Sequence, residues 1–370
     1  MDRNELLHLL GQYPDEMSVQ ERAQAYRRGQ RVDRIPTSIS VRDCLAPSLG
    51  FSMGEYRRNF SVRTEVYDKA HQLYGCEGVT IGCTLKKLGE ALGAVISYPE
   101  HSIELLQSHP IRCVRDLSSL EIPQPEENTV LQEQLQEIRR WQAHYGDDFP
   151  IGTEVPGPMS TAISICPTET VLSSLIRHPS DTAALLEFSA DCAIEWVRTA
   201  HRLFGITSVG IADPAASISL ISPAMFRRFV VPPLQRMLQE IRSITGKAPS
   251  LHICGRTAPI WQDIADMGFS SFRVDNCESL TALKEAVGDR MGISGNIPPV
   301  EVLRNGSIDD VLAASKRCIE AGADSPRGFT LAGGCQPPPG VPQENFLAML
   351  CAARMYGRGA RMGQPCEGVD

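Results

Sequence analysis

The fold is predicted most directly from residues 249–255, Pro249-Ser250-Leu251-His252-Ile253-Cys254-Gly255. This segment is short and apolar, and it ends in a glycine, a pattern typical of a buried β-strand. Residues two apart on a strand point to the same face, so His252 and Cys254 are expected to point together just past the carboxyl end of the strand. An imidazole and a thiolate are ligands that zinc prefers, but two ligands do not hold the ion.

A third candidate ligand occurs much later in the chain. Residues 329–335, Phe329-Thr330-Leu331-Ala332-Gly333-Gly334-Cys335, have the pattern of another short strand, here ending in Gly-Gly-Cys. One histidine and two cysteines leave one zinc coordination position open, which is typical of catalytic rather than structural zinc. From the residues alone, Cys335 is equally well interpreted as a small buried side chain beside a glycine turn.

Around these two segments the chain alternates between strand and helix patterns. Short apolar runs bounded by turn residues predict eight strands, joined mostly by helices and short turns. They are residues 34–41, 78–82, 149–154, 208–213, 249–255, 271–275, 291–294 and 329–332. This alternation predicts an α/β fold of the parallel (β/α)8 TIM-barrel class, as a single domain over residues 1–370. An open doubly wound sheet is the alternative, and no glycine-rich nucleotide-binding fingerprint follows the first strand to support it.

Two segments are predicted to lie outside the regular alternation. Residues 1–34 are predicted to form an N-terminal helical extension, with a capping box from Ser18 to Glu21. The arginines that follow, beginning with Arg22, are expected to be solvated. Residues 86–127, after the second strand, are too long for a plain connection and are predicted to form an insertion over the strand ends.

Four polar side chains are candidates for the site, because active sites of such barrels lie at the carboxyl ends of the strands. They are Glu154, Asp213, Asp275 and Asn296, each at or just past a predicted strand end. Each also has a structural interpretation. Asp213 and Asp275 would serve equally as turn formers or helix caps, Glu154 as a solvated carboxylate, and Asn296 as a residue that orders a turn.

Composition excludes some classes of function. The chain has 370 residues, 22% of them charged, and a net charge of −8 without a basic stripe, which argues against nucleic-acid binding. It has no apolar run long enough to cross a bilayer and no signal-peptide core at its start, so we expect a cytoplasmic protein without a membrane partner. Its 12 cysteines lack the spacing of a disulfide framework, so most are expected to be free thiols.

Four motifs occur together in this chain. They are His252-Ile253-Cys254-Gly255, Asp213-Pro214, Gly295-Asn296-Ile297-Pro298-Pro299-Val300 and Gly333-Gly334-Cys335. With these motifs the chain resembles the uroporphyrinogen decarboxylase superfamily, over roughly its whole length from Arg22. More narrowly, it is similar to the branch of corrinoid-linked zinc methyltransferases, the methylcobamide:coenzyme M methyltransferase group. The resemblance implies a (β/α)8 barrel and carries the zinc ligands onto His252, Cys254 and Cys335.

The chain departs from the pattern of the decarboxylases themselves. Those enzymes have an Arg-Gln-Ala-Gly-Arg run after the first strand, which holds the carboxylates of the substrate. The equivalent residues here, 41–47, contain one arginine, Arg42. Because a tetrapyrrole with many carboxylates needs several cations, methyl transfer is favoured over decarboxylation, which is kept as an alternative.

The resemblance implies chemistry between zinc and cobalamin. The chain has no Asp-x-His-x-x-Gly motif for cobalamin, so the corrinoid is expected on a separate partner protein that docks over the strand ends. The acidic candidates favour demethylation of a neutral or cationic methyl ether, amine or thioether, with methylation of a thiol by methylcobalamin as the alternative. We expect a fourth zinc ligand, Asp275 first and Glu154 second, while Asp213 is assigned to substrate or to a hydrogen bond with His252. Asn296 is expected to face the pocket.

Overall fold

A computed structural model of the chain describes residues 1–369. These residues form two compact units. The terminal unit consists of residues 1–77, 99–103 and the segment from 271 onward, and the central unit consists of residues 78–98 and 104–270. The single domain expected over residues 1–370 stays a prediction.

Strands and helices alternate along most of the chain. The strands are β1 (Thr37–Ser38), β2 (Val79–Thr80), β3 (Val95–Ser97), β4 (Leu105–Ser108), β5 (Ile151–Pro156), β6 (Val209–Ala212), β7 (Ser250–Ile253), β8 (Ser271–Val274), β9 (Gly292–Ile297) and β10 (Phe329–Gly333). The α-helices are α1 (Arg3–Gln12), α2 (Val19–Arg27), α3 (Met53–Arg58), α4 (Phe60–Tyr74), α5 (Leu85–Ala91), α6 (Thr129–Tyr145), α7 (Pro158–Ile165), α8 (Thr168–Arg177), α9 (Pro179–Phe204), α10 (Pro223–Met225), α11 (Val231–Thr245), α12 (Trp261–Met267), α13 (Leu280–Val287), α14 (Ile308–Gly322) and α15 (Gln343–Met355). Single π-helical turns lie at Phe226–Val230 and Pro299–Arg304, and 3-10 turns at Asp43–Leu49, Val114–Ser119, Pro214–Ala216 and Ala258–Ile260.

The eight predicted strands are all present, in the order β1-β10-β9-β8 within the terminal unit and β7-β6-β5-β2 within the central unit. The terminal unit contains β1, β10, β9 and β8, which pair in parallel from β1 to β8. The central unit contains β7, β6, β5 and β2, which are also parallel. Strands that follow one another along the chain lie side by side within each unit, with helices between most of them, and β1 lies beside the last strand, β10, as expected for the (β/α)8 class. The predicted fold class is therefore confirmed.

The predicted elements agree with the structure except at particular places. Helix α7, which follows the strand-breaking Pro156-Gly157-Pro158, was not predicted, although a proline at the first helical position is favourable. The predicted insertion contains α5 and an antiparallel pair formed by β3 and β4. The helix at residues 308–322 does not end at a glycine cap, because Gly322 is its last residue and lies against the ring of Phe329, where a Cβ would approach to 2.7 Å.

The strands of the central unit alternate between buried and partly exposed residues. In β7, Leu251 and Ile253 are buried, whereas His252 is partly exposed. In β5, the indole nitrogen of Trp196 on α9 donates a hydrogen bond of 2.8 Å to Thr153, so this side of the strand faces the helices. Glu154 therefore points to the opposite side of the sheet, the side expected to face a barrel interior.

Of the four arginines near the N-terminus that were expected to be solvated, Arg27, Arg28 and Arg31 are exposed, whereas Arg22 is buried. The expectation that Arg22 lies in solvent is wrong, since its side chain is 2% exposed and its Nε donates to Asp33 at 2.6 Å. Arg34 is equally buried and donates from Nε to Asp15 at 2.6 Å. Each charge is matched by an opposite one, which allows the cluster to lie inside the terminal unit.

None of the helices within residues 1–369 combines the length and the apolar character that a membrane span requires.

Candidate metal centre

One group of side chains in the described residues has the spacing of a metal site, and it consists of His252, Cys254 and Cys335. One ligand atom from each residue lies within 4.8 Å of the other two. The His252 Nε2 and the Cys254 Sγ are 3.0 Å apart. Ligands of tetrahedral zinc, with bonds of about 2.0–2.3 Å, lie roughly 3.5–3.8 Å from one another. The binding of one ion by His252 and Cys254 of the central unit together with Cys335 of the terminal unit stays a prediction.

The first two candidate ligands, His252 and Cys254, are positioned by strand β7. His252 lies on the face opposite the buried Leu251 and Ile253, and Cys254 follows on the same side, just past the end of the strand. The backbone N–H of Asp213, after β6, donates to the His252 carbonyl at 2.8 Å. This bond fixes the strand at the level of the imidazole.

The chain turns directly after Cys254. Gly255 has a φ of +71°, a left-handed conformation that glycine adopts without the steric cost of a Cβ. The turn is held by the neighbouring loop, because Ile218 N–H donates to the Arg256 carbonyl at 2.9 Å. Cys254 therefore lies between a regular strand and a fixed turn.

The third candidate ligand, Cys335, lies in a turn after β10, inside the terminal unit. Arg273 on β8 donates from Nε to the Gly333 carbonyl at 3.0 Å and from Nη2 to the Cys335 carbonyl at 3.4 Å. Gly334 packs so closely on the loop after β8 that a Cβ would lie 2.5 Å from the backbone nitrogen of Asn276. The glycine pair before Cys335 therefore lets the turn approach β8.

Asp213 is a buried helix cap. Its side chain is fully buried and accepts hydrogen bonds from the backbone N–H of Ser160 at 2.8 Å and of Met159 at 3.3 Å, at the start of α7. Burial raises its pKa to about 6, against the opposing effect of the hydrogen bonds from Ser160 and Met159. Asp213 therefore caps α7 and makes no side-chain cap bond to the turn at Pro214–Ala216 that follows it, and a role of Asp213 toward substrate stays a prediction.

Replacing Asp213 by asparagine is expected to preserve the fold and to remove one pH dependence. The folded pKa of about 6 lies above the usual 3.8, so the folded wild-type protein gains stability as pH falls from about 6 to 4. Between pH 7 and pH 4.5 the gain is about 2 kcal/mol, and it should be missing in the variant, as measured by urea unfolding at these two pH values. An Asp213→Asn variant that keeps this pH dependence would contradict the assignment.

The same variant tests the predicted role in the reaction. A cap needs only a hydrogen-bond acceptor, which the asparagine carbonyl supplies to Ser160. We therefore expect methyl-transfer activity within about threefold of wild type. A loss of more than about a hundredfold with an intact fold would instead indicate a direct role for the Asp213 carboxylate.

The other two acidic candidates lie on the site face of their strands but are not members of the three-residue metal group. Glu154 on β5 is partly exposed and has Gly210 as its register partner on β6, so no side chain stands beside it on that strand. Asp275 follows β8, and its Oδ1 accepts a hydrogen bond from Cys277 N–H at 3.0 Å. Either residue as a fourth zinc ligand stays a prediction.

Asn296 orders the loop after β8. Its Nδ2 donates to the carbonyls of Asp275 at 3.2 Å and of Glu278 at 2.8 Å. The expected turn-ordering role is therefore confirmed. Contact of Asn296 with a bound molecule stays a prediction.

Arg273 was not predicted as a site residue. It lies two positions before Asp275 and so shares its face of β8, and this spacing was the available signal. Its hydrogen-bond partners are 60 and 62 residues away in the chain, so no local pattern indicated them.

Comparison with known proteins gives consistent relatives. A family model described as Uroporphyrinogen decarboxylase (URO-D) matches residues 18–356. The methylcobamide:CoM methyltransferase MtaA of Methanosarcina barkeri is 28% identical over 347 residues, 92% of this chain and 99% of that protein. A solved structure described as a methyltransferase from Methanosarcina mazei has a TM-score of 0.77 and 28% identity, and the match covers 91% of this chain and 98% of that one. A uroporphyrinogen decarboxylase of Syntrophotalea carbinolica is 24% identical over 254 residues, 66% of this chain and 71% of that protein.

Proposed function

The chain belongs to the uroporphyrinogen decarboxylase family, and we propose that within this family it moves a methyl group with the help of zinc. The methyl group passes between a small methylated substrate and the cobalamin of a separate corrinoid protein. It is an enzyme of the corrinoid-dependent methyltransferase type, as are relatives that it matches over 92% of its length. The observation that carries the zinc proposal is the close group of His252, Cys254 and Cys335.

The donor set suits zinc in chemistry as well as in spacing. One imidazole nitrogen and two thiolate sulfurs are soft to borderline ligands, which favour zinc over magnesium or calcium. Three protein ligands leave a position for the substrate heteroatom. When bound, zinc would act as a Lewis acid on that heteroatom and so make the methyl group easier to transfer.

The residues around the ligands have separate roles in this proposal. Asp275 and Glu154 are proposed to supply a fourth ligand when substrate is absent. Asp213 holds α7 and, through its backbone N–H, the strand that carries His252. Asn296 holds the loop that bears Asp275.

Two directions of transfer have support from different observations. The partly exposed carboxylates of Glu154 and Asp275 favour a neutral or cationic methyl donor, and thus demethylation of an ether, amine or thioether. The name of the MtaA relative, a methylcobamide:CoM methyltransferase, favours the opposite direction with a thiol acceptor. We propose demethylation as the first candidate and thiol methylation as the second. Uroporphyrinogen decarboxylation is a third alternative, suggested by the shorter match to the decarboxylase relative.

Metal analysis and a two-way assay test the proposal. We expect one zinc per chain, and a change in the cobalt absorption spectrum when the protein is mixed with cob(I)alamin and an aryl methyl ether, a methylamine or a methyl thioether. Conversion only with methylcobalamin and a thiol would overturn the first candidate in favour of the second. Decarboxylation of uroporphyrinogen by a zinc-free protein would overturn both.

A further inference from the structure

We infer that Arg273 is a positioning residue that holds Cys335 in the geometry required for metal binding. The inference deepens the proposed function and rests on its assignment of Cys335 as a ligand. It concerns the terminal unit alone, in which both residues lie. Arg273 is not itself a candidate ligand, because the metal group found among the described residues consists of His252, Cys254 and Cys335.

The contacts of the guanidinium group carry the inference. Its Nε donates to the Gly333 carbonyl at 3.0 Å, and its Nη2 donates to the Cys335 carbonyl at 3.4 Å. These two acceptors are the first and last residues of the Gly-Gly-Cys turn. One planar group therefore holds both ends of the turn and limits rotation of the backbone at the ligand.

Strand β8, which carries Arg273, is itself held rigidly. Arg273 lies within strand β8, between the fully buried Phe272 and Val274, so its backbone cannot shift with the turn. Asn296 fixes the loop that follows this strand through its two donor bonds. The turn packs against that loop at Gly334. Two contacts thus fix the position of Cys335 relative to β8: the hydrogen bonds of the Arg273 guanidinium and the close backbone contact at Gly334.

The chemistry of arginine suits this task better than that of lysine. The guanidinium stays charged at any accessible pH and presents its donors in a fixed plane, which fits two carbonyls at once. A lysine ammonium is a point charge on a flexible stem and would hold one carbonyl at a time. Residues that orient metal ligands in this way typically change metal affinity or activity by about 10–100-fold when replaced.

The experiment compares metal binding by wild type, Arg273→Met and Arg273→Lys. Zinc affinity is measured by competition with a chromophoric chelator, and the ligand geometry by the visible absorption of the cobalt(II)-substituted protein. We expect Arg273→Met to bind zinc about 10–100-fold more weakly and to shift the cobalt(II) bands, and Arg273→Lys to lie between it and wild type. Arg58→Met is the matched control, because Arg58 is in the same unit, 60% exposed and paired with Glu100.

The outcomes separate this inference from the proposed function. Wild-type zinc affinity and unchanged cobalt(II) bands in Arg273→Met would overturn the positioning role while leaving the zinc site intact. Absence of zinc binding by the wild-type protein would instead overturn the proposed function. If Arg273→Met does not fold, Arg273→Lys decides, and a lysine variant with wild-type affinity and spectrum would contradict the inference.

Discussion

Replacing Cys335 by alanine is expected to remove zinc from the protein and to lower methyl transfer by about a thousandfold or more. The change leaves His252 and Cys254 as the remaining members of the group, and two ligands do not retain zinc against competing chelators. A Lewis acid contributes several kcal/mol to the reaction, and each 1.4 kcal/mol is a factor of about ten in rate. The measurements are zinc per chain after dialysis and the rate of the cobalamin spectral change.

The same replacement should leave the fold intact. Cys335 is partly exposed, and its contact with Arg273 uses the backbone carbonyl, which alanine retains. In metal-free buffer, we therefore expect circular dichroism like that of wild type and a melting temperature within a few degrees of it.

Cys277→Ala is the matched control for the loss of a thiol. Cys277 is an exposed cysteine of the same unit and does not belong to the metal group. The Cys277→Ala variant should bind zinc and transfer methyl groups like the wild-type protein. A Cys335→Ala protein that keeps one tightly bound zinc would refute the assignment of this ligand.

The sequence indicated the candidate metal group because its pattern is local. The two-residue spacing of His252 and Cys254 on a strand fixes a shared direction without any knowledge of distant contacts. Cys335 follows its own strand and was placed by the general rule that parallel strands of a barrel end on one side. The strands themselves were predicted from apolar runs and turn residues, which are also local features of the sequence.

The roles of charged residues were predicted less well because their partners are distant in the chain. Asp213 receives its hydrogen bonds from a helix start 53 and 54 residues earlier, in a helix that the sequence did not indicate. Arg273 finds its acceptors 60 and 62 residues later. Local sequence tells whether a charge can be solvated, but burial is decided by the segments that pack over it.

The second large effect is expected at the buried charges of the terminal unit. Asp15 accepts hydrogen bonds from Arg34 Nε at 2.6 Å and from Arg354 Nη2 at 3.0 Å. Its replacement by alanine would leave Arg34, a side chain only 2% exposed, without its carboxylate partner. Breaking such a buried pair costs about 3–5 kcal/mol of unfolding free energy. Asp309→Ala is the control. Asp309 is 63% exposed, so its replacement should lower the unfolding free energy by less than about 1 kcal/mol.

The loss of unfolding free energy in Asp15→Ala should depend on pH if the ion pair causes it. Burial opposes ionisation of Asp15, but the hydrogen bonds and charges of Arg34 and Arg354 outweigh it and lower the pKa from 3.8 to about 2. A lowered carboxylate pKa gives stability that is present above pH 4 and is lost as pH falls toward 2. The difference in unfolding free energy between wild type and Asp15→Ala should therefore shrink by about 2 kcal/mol between pH 5 and pH 2, as measured by urea unfolding. If the difference stays constant over that range, lost packing rather than the charge of Asp15 accounts for the destabilisation.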